Sequence, residues 1–87
     1  MILSEILISS PEDELLKKEL IEAVNSAINE LPERCKLIFS MNRFEKLRYK
    51  EIAEVLEISV KTVEAQMGKA LRLLRKSLQN YIHTFFL

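Results

Sequence analysis

Glycine occurs once in these 87 residues and proline twice, and cysteine and histidine are each present once. So little glycine and proline excludes a flexible linker or a fibrous repeat. A single Cys35 excludes a disulfide framework, and with His83 alone beside it there are too few soft ligands for a zinc site. No apolar run comes near the ~20 residues needed to span a bilayer. The opening Met1-Ile2-Leu3-Ser4-Glu5 lacks the basic start of a secretory signal. What is present is 48% hydrophobic residues, too many for a disordered chain, in a length that suits one small domain. The expectation is a soluble, cytoplasmic helical domain with no cofactor.

Equal numbers of acids and bases, 13 each, conceal a split. Residues 1–33 hold eight acids and two bases, net −6, whereas residues 34–87 hold eleven bases and five acids, net +6. Such asymmetry suits a polyanionic partner for the basic half. It equally suits two faces that neutralise each other within one fold, so charge alone does not decide.

Hydrophobic periodicity predicts four helices and no strands. The first starts near Ser10-Pro11-Glu12, where Ser10 suits an N-cap, Pro11 the first helical position, and Glu12, Asp13 and Glu14 the positive helix end. Leu16, Leu20, Val24, Ala27, Ile28 and Leu31 then recur at steps of three and four. Pro32 ends that helix and opens the second, with Cys35, Ile38, Phe39 and Met41 as its apolar positions and Phe44 at its end or in the link. A short third helix runs from about Tyr49 to Leu56, with Ile52, Ala53, Val55 and Leu56 apolar. After Glu57-Ile58-Ser59, Ser59 caps a fourth helix whose apolar set is Val60, Val63, Met67, Ala70, Leu71, Leu74 and Leu78. This last helix can extend through Tyr81, Ile82 and Phe85.

A short helix, a three-residue turn and a longer helix form a helix-turn-helix pattern. The two helices cross closely, so the first needs a small residue, and Ala53 supplies it. Ile58 plugs the turn from below. On the fourth helix the apolar set gathers on one side, while Lys61, Thr62, Ala65, Gly68, Lys69 and Arg72 fall on the other. That free stripe carries cations, one hydroxyl and two residues with almost no side chain. A duplex major groove is about 12 Å wide and accepts one helix at close range. Ala65 and Gly68 would let the backbone approach the bases, with Lys69 and Arg72 reaching base edges or phosphates. The flanking Glu64 and Gln66 suit cytosine and adenine edges. A mid-helix glycine costs ~1 kcal/mol relative to alanine, so Gly68 marks close approach to DNA, a close helix contact or a tolerated surface position.

Taken together, Leu31-Pro32-Glu33-Arg34-Cys35, Ile38-Phe39, Tyr49 to Leu56, Ile58 to Glu64 and Ala70-Leu71-Arg72 resemble region 4 of extracytoplasmic-function (ECF) sigma factors, in the form common in Bacteroides-type bacteria. The resemblance covers about residues 12–80. It implies an all-α, four-helix domain with a C-terminal helix-turn-helix, winged-helix-like but without a wing. It also implies binding to the promoter −35 element, docking on the β flap of RNA polymerase, and control by an anti-sigma factor. By position, Lys61, Thr62, Glu64, Ala65, Gln66, Gly68 and Lys69 match the base-facing part of the recognition helix. Arg34, Arg43, Tyr49, Lys50 and Arg72 match positions that touch phosphate, where contacts position rather than specify.

Two residues depart from the family pattern. Glu57 stands where the turn usually has glycine, and a positive φ there would store about 1 kcal/mol of strain. Arg48 stands where an N-cap serine or threonine is usual. A complete sigma factor of this kind also carries an upstream region 2, which nothing here can be. Residues 1–10 look like an inter-domain linker, residues 11–80 the domain, and residues 81–87 an apolar tail, so a fragment is expected rather than a stand-alone regulator.

The remaining residues have simpler readings. Cys35 is expected to be a buried, inert thiol, His83 a solvated side chain, and Met41 and Met67 core fillers. The acidic first helix is a solvated face. The tail Tyr81 to Leu87 either packs within the chain or a dimer, or meets a protein partner. A protein-interaction module and the output domain of a two-component regulator are alternative readings. An enzyme has least support, with no nucleophile–base pairing, no paired carboxylates and no phosphate-cradling loop.

Overall fold

A computed structural model describes residues 14–86, and the side chains of residues 17–79. Among the described residues there are four helices and no strand: α1 (Glu14–Asn29), α2 (Glu33–Arg43), α3 (Tyr49–Leu56) and α4 (Val60–Phe86). This is the all-α architecture that periodicity predicts. The expected start at Ser10-Pro11 lies outside the described residues.

Each boundary has a local cause. α1 tightens at its end, where Glu30 N–H donates to Ser26 O at 3.0 Å and Leu31 N–H to Ile28 O at 3.1 Å. Pro32 follows in extended backbone, φ −52° and ψ 144°, as the N-cap of α2 rather than its first residue. Its missing N–H is no loss there, and its carbonyl accepts the first helical bond, from Lys36 N–H at 2.8 Å. α2 closes with Phe44 and Glu45 both donating to Ser40 O, at 2.9 and 3.2 Å. Lys46 then turns the chain at φ 58°, and Asn42 Nδ2 donates to Leu47 O at 2.9 Å.

The ends of α3 resolve both departures from the family pattern. At Arg48 the backbone is extended, and its N–H donates to the Glu51 carboxylate at 2.9 Å. That is half of a capping box; a guanidinium has only donors, so Arg48 cannot return the bond. Glu57 adopts the left-handed conformation, φ 56° and ψ 46°. Ile58 N–H reaches back to Ala53 O at 3.0 Å and Glu57 N–H to Glu54 O at 3.4 Å, the paired bonds of a Schellman ending. The turn therefore keeps the glycine geometry with a glutamate in it. Ser59 caps α4, accepting Thr62 N–H at 3.0 Å on its hydroxyl, a bond of about 1 kcal/mol.

α4 is the spine. Its 27 residues span about 40 Å at the usual helical rise, close to the longest dimension of 44 Å. All three other helices pack on it, and α2 also packs on α3. The core holds Leu20, Ala27, Ile28 and Leu31 from α1 and the loop after it, and Cys35, Ile38, Phe39 and Met41 from α2. Ile52 and Ala53 of α3 meet Val63, Met67, Ala70 and Leu74 of α4 there. No described polar or charged residue is buried. Each large buried side chain contributes roughly 1.5–3 kcal/mol of transfer free energy.

Three apolar positions depart from expectation. Val60 is 39% exposed, because a first-turn side chain leans toward the helix N-terminus and so past the packed segment. Val55 is 63% exposed, lying about 110° around α3 from the middle of the stripe formed by Ile52, Ala53 and Leu56. Leu73, outside the expected set, packs on the core. Three partner helices cover a wider arc of α4 than one stripe would need.

Candidate nucleic-acid interface

The helix-turn-helix is α3, the turn Glu57–Ser59 and the first turns of α4. Ala53 is buried where α3 meets the body, and Ile58 packs against the core beneath the turn. With Val63, Met67, Ala70 and Leu74 drawn inward, helical geometry turns Lys61, Ala65, Lys69 and Arg72 outward, and all four are exposed. Glu64 is exposed beside them, and Thr62 and Gly68 are half-buried. The Thr62 hydroxyl pairs with that of Ser59 at 2.8 Å, so it also serves the cap.

Gly68 has no explanation among the described residues. A Cβ built there would meet only Arg72 Nη1, at 3.8 Å, which is ordinary contact, and its φ is not positive. The close helix contact that could have demanded glycine is therefore absent from the described residues.

Gln66 lies differently from its neighbours. Its side chain is half-buried at the edge of the core, and its Oε1 accepts the Cys35 thiol of α2 at 2.9 Å. Cys35 itself is fully buried. A wheel drawn for one helix cannot show a bond between two.

The expected phosphate positions spread over three helices. Arg34 is exposed at the start of α2 and Arg43 is half-buried in its last turn. Lys50 is exposed on α3, whereas Tyr49 is half-buried and packs on the core, so its ring also fills space. Two cations of α4 went unnoticed in the sequence, Arg75, exposed three residues after Arg72, and Lys76. Lys76 is exposed, one turn beyond Arg72 and seven residues after Lys69, which extends the cationic stripe along α4. The i, i+4 spacing from Arg72 was its signal.

A family model for sigma-70 region 4 matches residues 21–74, which takes in most of α1, all of α2 and α3 and the first half of α4. The chain belongs to the sigma-70 region 4 family. It is 32% identical over 72 residues to the ECF RNA polymerase sigma-E factor of Haemophilus influenzae, covering 83% of this chain and 38% of that protein. To the RNA polymerase sigma-H factor of Pseudomonas aeruginosa it is 35% identical over 72 residues, covering 83% of this chain and 37% of the relative. The sigma-E factor of Escherichia coli matches at 33% over 63 residues, 72% of this chain and 33% of the relative. The chain thus spans little more than a third of the length of these relatives. Together they support region 4 of an ECF sigma factor, a DNA-binding helix-turn-helix domain. In this region 4, no described helix is long and apolar enough to cross a membrane.

Proposed function

We propose that this region 4 recognises the −35 element of a promoter through the free face of α4 and contributes to transcription initiation by RNA polymerase in the cytoplasm. The observation that carries the reading is the division of α4. Val63, Met67, Ala70 and Leu74 anchor one edge, while Lys61, Ala65, Lys69 and Arg72 stand exposed on the other, around a glycine that no described neighbour requires. Lys61, Thr62, Glu64, Ala65, Gly68 and Lys69 approach base edges in the major groove. Arg34, Arg43, Tyr49, Lys50 and Arg72 engage phosphates on either side. Family membership supports both assignments.

Docking on the polymerase β flap and control by an anti-sigma factor belong to the same reading. Two exposed apolar side chains support a protein contact: Leu37 at 47% on α2, and Phe44 at 53% at its end. Phe44 is held in place by an edge-to-face contact with Phe39, centroids 6.4 Å apart and planes at 81°. The motifs quoted from the sequence support the Bacteroides-type subclass and a domain spanning residues 11–80.

The test is binding of the chain to a labelled −35-like duplex across a salt series. Affinity is expected to fall steeply as salt rises, since phosphate contacts release counterions. Lys69→Glu is expected to weaken binding and flatten the salt dependence by about one unit of slope or more. Equal binding of both proteins at low salt would show that α4 does not present this face to DNA. Tight binding to a flap fragment with no duplex affinity would favour the protein-interaction reading instead.

A further inference from the structure

We infer that Gln66 meets DNA as a hydrogen-bond donor only, to a phosphate oxygen at the wall of the groove, and that Cys35 is the positioning residue that holds it so. The inference rests on the DNA-facing role proposed for α4.

The steps are local. The Cys35 thiol is fully buried, and its proton goes to Gln66 Oε1 at 2.9 Å. A glutamine free in the groove can read adenine bidentately, donating to N7 from its nitrogen while accepting from N6 on its oxygen. Here the oxygen faces α2 and is engaged. A planar amide holds its nitrogen and oxygen on different sides of the carbon, so the two N–H groups on Nε2 are turned away from Cys35. No buried side-chain nitrogen or oxygen in the described structure lacks a partner, Gln66 is half-buried, and Nε2 has no partner among the described residues, so that nitrogen reaches the surface. Oε1 keeps a second lone pair, but the bond to Cys35 turns the oxygen toward α2, so Gln66 presents its donors and not its acceptor to the groove, and the bidentate pairing with adenine that its position suggested is lost.

Its place on the helix selects the target. Lys69 and Thr62 lie about 40° and 60° around α4 from Ala65, and Gln66 lies beyond them on the same side. The centre of the exposed face is Ala65, and Gln66 is turned about 100° from it, toward the core. The centre of an inserted helix looks at base edges, and its flanks look at the walls, which are phosphate. A neutral donor beside Lys69 fits a non-bridging oxygen without adding charge.

The experiment has two readouts. The protein contains one thiol, so its infrared S–H stretching band reports Cys35 alone. The expected band is shifted toward lower frequency in the wild-type chain relative to Gln66→Ala. An unshifted band, as would arise if the amide were turned over with Nε2 facing the weakly accepting sulfur, overturns the inference. The second readout is duplex binding by wild type, Cys35→Ala, Gln66→Ala and the double variant, with thermal unfolding of each as a folding control. Each single change is expected to weaken binding roughly three- to tenfold, the scale of one hydrogen bond. The double variant is expected to bind no more weakly than Gln66→Ala, because Cys35 acts through Gln66. The loss is expected to be the same for duplexes differing at any one base pair, and one methylphosphonate position, distinct from those that weaken both proteins through the cationic contacts, is expected to weaken wild type and leave Gln66→Ala unaffected.

A loss confined to one adenine position, or full additivity of the two changes, overturns the inference. So does a result in which Lys69→Glu loses affinity while Gln66→Ala does not, and that result leaves the DNA face of α4 standing. Loss in neither variant overturns both. Where Cys35→Ala does not fold, the S–H band and the Gln66→Ala affinities still decide.

Discussion

The two edges of α4 obey opposite rules although they are cut from one helix. On the inner edge Val63, Met67 and Ala70 are almost wholly buried, and three helices lie against them. On the outer edge Lys61, Ala65, Lys69 and Arg72 are exposed, and Gly68 carries no side chain. Inner residues are chosen for volume and are replaceable only by similar volumes. Outer residues contribute almost nothing to the fold, so their identities answer to whatever comes from outside. A glycine on the outer edge is the sharpest sign, since it lowers helix stability with no return from any described neighbour.

Met67→Ala should show the largest effect on this contrast. Met67 is among the largest fully buried side chains, and truncating such a residue costs about 2–5 kcal/mol through lost transfer energy and the cavity left behind. For so small a domain that is a large part of the total stability. Denaturant unfolding followed by far-UV circular dichroism should show a lower midpoint at an unchanged slope. A loss below about 0.5 kcal/mol would mean that the inner edge is not the anchor.

Lys69→Glu probes the opposite edge. Stability should stay within about 0.5 kcal/mol of wild type, as expected of an exposed residue. Duplex affinity should fall about tenfold at low salt, which is about 1.4 kcal/mol. If stability falls instead, the division of α4 into two edges is wrong.

Gly68→Ala sets the two edges against each other within one substitution. The new methyl group meets only Arg72 Nη1 at 3.8 Å, so the helix should gain about 1 kcal/mol. If the glycine exists to let DNA approach, affinity should fall while the melting temperature rises. Higher stability with unchanged affinity would make Gly68 a tolerated surface position.

Much of this was legible in the sequence because punctuation residues are local. Pro32, Ser59 and the period of Val63, Met67, Ala70 and Leu74 act within one helix turn, so the bounds of α3 and the start of α4 follow from nearest neighbours. What escaped was set between elements. Val55 is apolar yet faces solvent, because α3 is too short to bury more than one stripe. Leu73 is drawn in by packing that spans more than one face of α4. The Cys35–Gln66 bond joins residues 31 apart in sequence, and no pattern within a helix announces it. The free face of α4 could be read as a stripe of residue types, but the direction in which Gln66 points could not.

Glu57→Gly should give the smallest change, and its sign is the informative part. Glu57 sits at φ 56° and is exposed, so removing its side chain forfeits no packing. An L-residue in this conformation costs roughly 1–2 kcal/mol, because its Cβ crowds the following carbonyl. Glycine escapes that cost but loses roughly 0.5–1 kcal/mol more backbone entropy on folding. The net expectation is a gain of a few tenths to about 1 kcal/mol, read as a raised unfolding midpoint. Lys46→Gly is the matched control, since Lys46 has φ 58° and is equally exposed, but lies in the α2–α3 link. Equal gains would mean that both links hold ordinary left-handed strain. A gain at Lys46 with none at Glu57 would mean that the Glu57 side chain supports the turn before the recognition helix, and glutamate there would then be a stabilising residue in a left-handed position that ordinarily favours glycine.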